Sequence, residues 1–218
     1  RALADFIAKE YGYITLIDEQ VGRIVAALRE CGELERTLIV YTADHGSALG
    51  SYRMWDKGFG MYDCLWRIPM IAAHPAFRPG TSDALVSLLD LAPTFCDAVG
   101  ATVRDELDGN SLLPMLRGLA DRPTRRERSA IQADHVIAEA YGHQIPFWQR
   151  MVRTRDAKYI YNPTDRDEFY DLASDPGEMH NIIDSVDRET LRSMRETLWR
   201  HILATNDPVR GMAQVALV

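Results

Sequence analysis

The run Thr37–Ala43 (TLIVYTA) constrains this chain more than any other stretch. It is short, mostly apolar and rich in β-branched residues. Such a run reads as a strand buried on both faces, as in a parallel sheet. The segment before it supplies a helix. Leu3, Phe6, Ile7, Ile14, Ile17, Val21, Ile24, Val25 and Leu28 recur at spacings that fit one face of a long α-helix. Gly12 and Gly22 inside it read as points of close packing. Cys31-Gly32 reads as its end, with glycine as the left-handed cap. Helix followed by buried strand is half of an α/β repeat.

The α/β pattern continues downstream. Ile68–Ala73 (IPMIAA) is a second buried strand candidate. Ser87–Val99 reads as a helix capped by Asp90, with Pro93 in its first turn. A short helix is expected between Gly109 and Gly118, and residues 120–128 are the linker candidate. Beyond them His135–Ala140, Trp148–Thr154 and Lys158–Asn162 are short strand candidates separated by turn residues, and Glu168–Leu172 leads into the turn signal Asp175-Pro176-Gly177. A final helix is expected from Arg188 to Leu203. The expected fold is therefore α/β: part of a mixed, mostly parallel sheet flanked by helices over residues 1–120. A small α+β subdomain with a short antiparallel sheet and a C-terminal helix follows over 121–218.

Composition narrows the function classes. A net charge of −7 argues against nucleic acid as a partner, because phosphate contacts need a basic stripe. No apolar run reaches the ~18 residues of a membrane-spanning helix. Cys31, Cys64 and Cys96 have neither disulfide nor zinc spacing and read as buried or half-buried free thiols. The chain opens RALADFIAKEYG, without Met and already amphipathic, and reads as the middle of a protein, so any targeting segment would lie upstream. The compartment, cytoplasmic or periplasmic, is left open.

Chemistry concentrates directly after the first strand. Asp44 and His45 sit where ligands bind in open α/β sheets, outside the carboxyl ends of strands. A carboxylate beside an imidazole can share a divalent metal, with oxygen ligands favouring Ca²⁺, Mg²⁺ or Mn²⁺. On the dipeptide alone, an ordinary turn is the competing reading. Lys57, after a Gly/Ser-rich stretch, can reach back over the strand end and suits a tetrahedral oxyanion. A solvated surface lysine is the alternative.

Spacing shifts this balance. Strand, Asp44-His45-Gly46, Trp55-Asp56-Lys57-Gly58, then Met61-Tyr62 and Arg67-Ile68-Pro69 resemble the sulfatase family of the alkaline phosphatase superfamily. Leu89-Asp90-Leu91-Ala92-Pro93-Thr94 and Asp108-Gly109-Asn110-Ser111-Leu112 are similar to later family elements. Phe169-Tyr170-Asp171-Leu172 with Asp175-Pro176, Glu178 and Asn181 is similar to its closing signature. The resemblance spans nearly the whole chain and identifies it as a carboxy-terminal portion. It implies that Asp44 and His45 are ligands of one divalent cation, usually calcium, with Mn²⁺ or Mg²⁺ as substitutes. It implies that Lys57 contacts the sulfate or the leaving-group oxygen of a small-molecule sulfate ester. Arg67 and the closing Asp175, Glu178 and Asn181 are assigned structural roles.

The family nucleophile is a formylglycine made within C/S-x-P-x-R, and Cys31, Cys64 and Cys96 do not fit that motif. The nucleophile and the paired aspartates of the metal site are therefore expected upstream of Arg1. On that expectation this chain alone is inactive, and a sheet cut in half favours homo-oligomers. Tyr52 stands where many relatives have His. The competing functions are a phosphonate or phosphate ester hydrolase of the same superfamily and a truncated, non-catalytic member. Among other polar residues, His143 and Trp148 are candidates for a substrate-facing lip. His74, His135 and Glu139 read as ordinary strand-end or strand residues, and His180 and His201 as surface residues.

Overall fold

A computed structural model describes residues 2–57, 60–102, 107–119, 134–142 and 147–217. The chain forms two compact units. One comprises Arg1–Lys57 and Cys64–Phe77, the other Gly58–Asp63 and Arg78–Val218. The linker expected over 120–128 lies outside the described residues.

In the first unit, helix α1 spans Ala2–Glu30. It stops where the sequence places its cap: Gly32 has φ 74°. The Glu33 N–H donates to the Leu28 carbonyl at 2.9 Å and the Gly32 N–H to that of Arg29 at 3.2 Å, a Schellman closure. No residue of α1 is buried. Gly12 and Gly22 have open space where a Cβ would stand, so the close packing expected there is not seen among the described residues.

Strand β1 (Ile39–Thr42) pairs with β2 (Met70–Ala73). The pairing is antiparallel, with Ile39 opposite Ala73 and Thr42 opposite Met70. A mixed, mostly parallel sheet was expected, and the pair described here is not parallel. The chain instead reverses between the strands, and the Thr42 hydroxyl donates to the Pro69 carbonyl at 2.8 Å. With a single hydrogen-bonded neighbour among the described residues, β1 is half-buried and not sealed on both faces. Between the strands lies one helical turn, α2 (Asp63–Trp66).

The second unit begins with a cap that differs from expectation. Asp90 stands at the N-cap of α3 (Leu91–Ala98) without a side-chain cap bond there. The helical segment starts earlier, at Ser87: the Ser87 hydroxyl accepts from the Leu89 N–H while the Asp90 carboxylate accepts from the Ser87 N–H. This capping box opens a 3₁₀ turn, Leu88–Asp90, that runs into α3. The other Asp90 oxygen accepts from the Asn110 N–H at 2.7 Å, just ahead of α4 (Leu113–Leu116).

The rest of this unit is an antiparallel meander in the order β3-β4-β5-β6. Its strands are β3 (His135–Ala140), β4 (Gln149–Thr154), β5 (Ala157–Tyr161) and β6 (Glu168–Asp171). The two-residue period of a strand sorts its side chains. Val152, Tyr159 and Phe169 join Met194, Leu198 and Ile202 of α5 (Arg188–Thr205) in one core. Met151, Ile160 and Tyr170 face the other way and pack with Met61 and Leu172. Asp187 caps α5, accepting from the Thr190 N–H, and Asn206 at φ 53° ends it. A further helix, α6 (Arg210–Leu217), was not anticipated, although Ala213 and Leu217, four apart, carry its buried face, and Val209 just before it joins the same core.

Candidate active site at the end of strand β1

The site starts with backbone geometry. The Gly46 N–H donates to the Leu65 carbonyl at 2.8 Å. A Cβ on Gly46 would lie 2.0 Å from the Cys64 carbonyl oxygen, so only glycine allows this approach. The close contact fixes the chain just past β1, where Asp44 and His45 stand. Between them and Lys57 the backbone is contorted: Leu49, Tyr52 and Arg53 take positive φ of 48° to 61°. For residues other than glycine such values are costly and cluster at functional sites.

This loop brings the three sequence-selected residues of the site together. The Lys57 Nζ lies 2.6 Å from His45 Nε2. His45 Nε2 is 3.4 Å from Asp44 Oδ2. The His45 N–H donates to Asp44 Oδ1 at 3.0 Å. His45 Nδ1 is 2.8 Å from the Gly46 carbonyl, which can only accept, so Nδ1 carries the proton. Nε2 therefore presents its lone pair to the Lys57 ammonium. Asp44 is 84% exposed and His45 40% at the side chain.

This donor set suits a divalent cation. An imidazole lone pair and a carboxylate oxygen 3.4 Å apart are spaced as two ligands of one ion. A further His, Cys, Asp or Glu does not join them among the described residues.

The remaining candidates separate clearly. His74 Nδ1 accepts from the Ala76 N–H at 3.0 Å, an ordinary strand-end role. His143 lies outside the described residues. Trp148 is 37% exposed and meets the Tyr141 ring edge-on at 6.0 Å. His180 is exposed, but His201 is not a surface residue. Its side chain is 11% exposed, because its face of α5 turns toward β3 and Nε2 bonds Glu139 at 2.9 Å. Glu139 also accepts from the Tyr141 hydroxyl at 2.6 Å. The His201 hydrogen bond outweighs burial and holds the Glu139 carboxyl at about 2.

Two buried ionic clusters carried no clear sequence signal. Arg150 and Asp207, both fully buried, form a bidentate pair at 2.6 and 2.8 Å. Lys158, also fully buried, contacts Asp63 and Glu178, each at 2.5 Å. The Asp175, Glu178 and Asn181 oxygens accept backbone N–H groups of His180, Asp63 and Phe169 respectively. That is the work of a structural signature.

Residues 50–205 match the family model described as N-sulphoglucosamine sulphohydrolase, C-terminal. The chain belongs to the sulfatase family, as a carboxy-terminal portion. An N-acetylglucosamine-6-O-sulfatase of Bacteroides thetaiotaomicron is 34% identical to this sulfatase chain over 210 residues, covering 89% of it and 36% of the relative. The chain thus spans little more than a third of that relative's length. A solved structure in complex with its substrate D-glucosamine-2-N,6-O-disulfate superposes with a TM-score of 0.75 at 29% identity, over 89% of this chain and 40% of the other. A phosphonate monoester hydrolase of Agrobacterium radiobacter gives a TM-score of 0.69 at 28% identity, over 86% and 40%.

Proposed function

We propose that this sulfatase chain supplies the metal-binding pair and the anion-binding lysine of a sulfate-ester hydrolase. The contact between Lys57 Nζ and His45 Nε2, beside Asp44 at the end of β1, carries this reading. It supports a compact site in which two electron-pair donors and one ammonium converge.

Asp44 Oδ2 and His45 Nε2 are the atoms that would hold a divalent cation, Ca²⁺ first and Mn²⁺ or Mg²⁺ as substitutes. When bound, such an ion supplies Lewis-acid stabilisation of charge on the transferred group. The Gly46 carbonyl fixes the His45 tautomer so that Nε2 keeps its lone pair outward. That lone pair serves either the Lys57 ammonium or a cation. With a cation held there, the Lys57 N–H groups would be left for sulfate oxygens. A compact ammonium on a flexible stem suits this task. Two donors satisfy part of a calcium shell, which takes 6–8 oxygen ligands. The other ligands and a formylglycine nucleophile would come from residues outside this chain.

The substrate proposed is a small-molecule sulfate ester. A sulfated amino sugar is the most direct candidate, since one relative is an N-acetylglucosamine-6-O-sulfatase and one structural neighbour holds a glucosamine disulfate. The likeness to a phosphonate monoester hydrolase favours a second reading, a phosphonate ester as substrate.

One assay separates these. Full-length protein is given an aryl sulfate and an aryl phosphonate with calcium or manganese. A kcat/KM at least tenfold higher on the sulfate supports the first reading. The reverse preference replaces it with the second. No turnover of either, with no divalent binding in calorimetry, refutes both.

A further inference from the structure

We propose that Asp63, Lys158, Arg153 and Glu178 form a positioning network that tethers the segment after Lys57, and so sets where the Lys57 ammonium can reach. The inference rests on the proposed role of Lys57 in the sulfatase site.

Asp63 is the hub. Its carboxylate accepts from Arg153 Nε at 3.1 Å and Arg153 Nη2 at 2.9 Å, and lies 2.5 Å from Lys158 Nζ. Its own N–H donates to Glu178 Oε2 at 2.6 Å. Lys158 also donates to the Met61 carbonyl at 2.9 Å and pairs with Glu178 Oε1. The same short stretch is thus held through one side chain, one carbonyl and one N–H. Two cations face two carboxylates, so the cluster is neutral and its burial does not leave a charge unmatched. Lys158 and Glu178 are 0% and 1% exposed at their side chains. Apolar packing reinforces the hold: Met61 is fully buried against Met151, Ile160 and Tyr170.

This investment exceeds what a surface crossing needs. A buried lysine with two carboxylates, and a glutamate held at φ 52°, are costly features. They converge on a stretch whose neighbours along the chain carry the site. Lys57 lies six residues before Asp63. Leu65, two residues after it, accepts the Gly46 N–H that fixes the chain beside His45. Along the chain, Asp63 thus stands between the two runs that carry the site. The closing family signature thereby acquires a purpose, since its Glu178 holds the segment that follows the site lysine.

The experiment reads the tether directly. The lysines of this chain are Lys9, Lys57 and Lys158. Native full-length protein is digested with a lysine-specific endoproteinase, and the fragment that begins at Gly58 is timed by mass spectrometry. Asp63→Asn should raise the cleavage rate after Lys57 at least tenfold. Asp207→Asn breaks the fully buried Arg150–Asp207 pair of the same unit and should change that rate less than twofold. Equal acceleration by both variants would mean general loosening and overturn the proposal, as would no acceleration by Asp63→Asn. Should Asp63→Asn fail to fold, Glu178→Gln takes its place with an expected threefold rise and the same reading of outcomes. A second arm uses an aryl sulfate. Asp63→Asn should lower kcat tenfold in the natural protein but less than twofold in a Lys57→Ala background. Equal losses in both backgrounds would show that Asp63 does not act through Lys57. Absence of sulfate turnover in the natural protein sinks the proposed function alone, and the proteolysis still decides the tether.

Discussion

Lys57 Nζ and His45 Nε2 lie 2.6 Å apart, twelve residues from each other in the chain. The Gly46 carbonyl keeps the proton on Nδ1, so the imidazole accepts and the ammonium donates. Lys57→Ala removes the ammonium. In full-length protein kcat on an aryl sulfate should fall by roughly 10²–10³, the usual loss when one preorganised donor to a charged transition state is deleted. His45→Ala should instead weaken the divalent cation first. Calorimetry should show affinity reduced at least ~100-fold, since even supporting residues of metal ligands cost 10–100-fold.

The glycine after His45 is a packing requirement. Gly46→Ala places a Cβ 2.0 Å from the Cys64 carbonyl oxygen, and backbone must give way. The bond from the Gly46 N–H to Leu65 should lengthen or break, at a cost of about 1–3 kcal/mol for overpacking. Divalent affinity should fall with it. A variant that binds and melts like the natural chain would show that the contact is soft.

The Arg150–Asp207 pair tests the second unit. Both side chains are fully buried and bonded twice. Asp207→Asn leaves a buried guanidinium without its counter-charge. Thermal or urea unfolding should report a loss of about 3–5 kcal/mol. Replacing both residues with apolar side chains of similar volume should recover much of that loss, which distinguishes an unpaired charge from lost packing.

Glu139 supplies a pH signature. Its carboxyl is held at about 2, first by the His201 hydrogen bond and then, against the opposing effect of burial, by the Tyr141 hydroxyl. The folded value lies below the ordinary 4.5. Its contribution is therefore full above about pH 4.5 and is lost as pH falls toward about 2. The contribution is on the order of 1–3 kcal/mol after allowance for its partial exposure. Glu139→Gln should be less stable than the natural chain at pH 6, with the difference shrinking through that window. A difference independent of pH would assign the effect to packing.

The sequence by itself determined the local elements of this sulfatase chain and singled out a candidate site. Hydrophobic periodicity set α1, and Cys31-Gly32 set its end, because a left-handed cap is a local property of glycine. Alternation set the strands of the meander, because one-residue steps switch faces. Asp44, His45 and Lys57 were singled out by residue type and spacing, and the structure brings them together. Tertiary structure decided what depends on distant partners. The direction of β2 against β1 is a pairing choice that periodicity does not encode. The burial of His201 follows from which face of α5 meets β3. Asp63 and Glu178 stand 115 residues apart, and nothing in either neighbourhood announces the other. Their pairing with Lys158 follows from folding the closing signature back on the segment after Lys57. Only there does a buried lysine find two carboxylates to balance its charge.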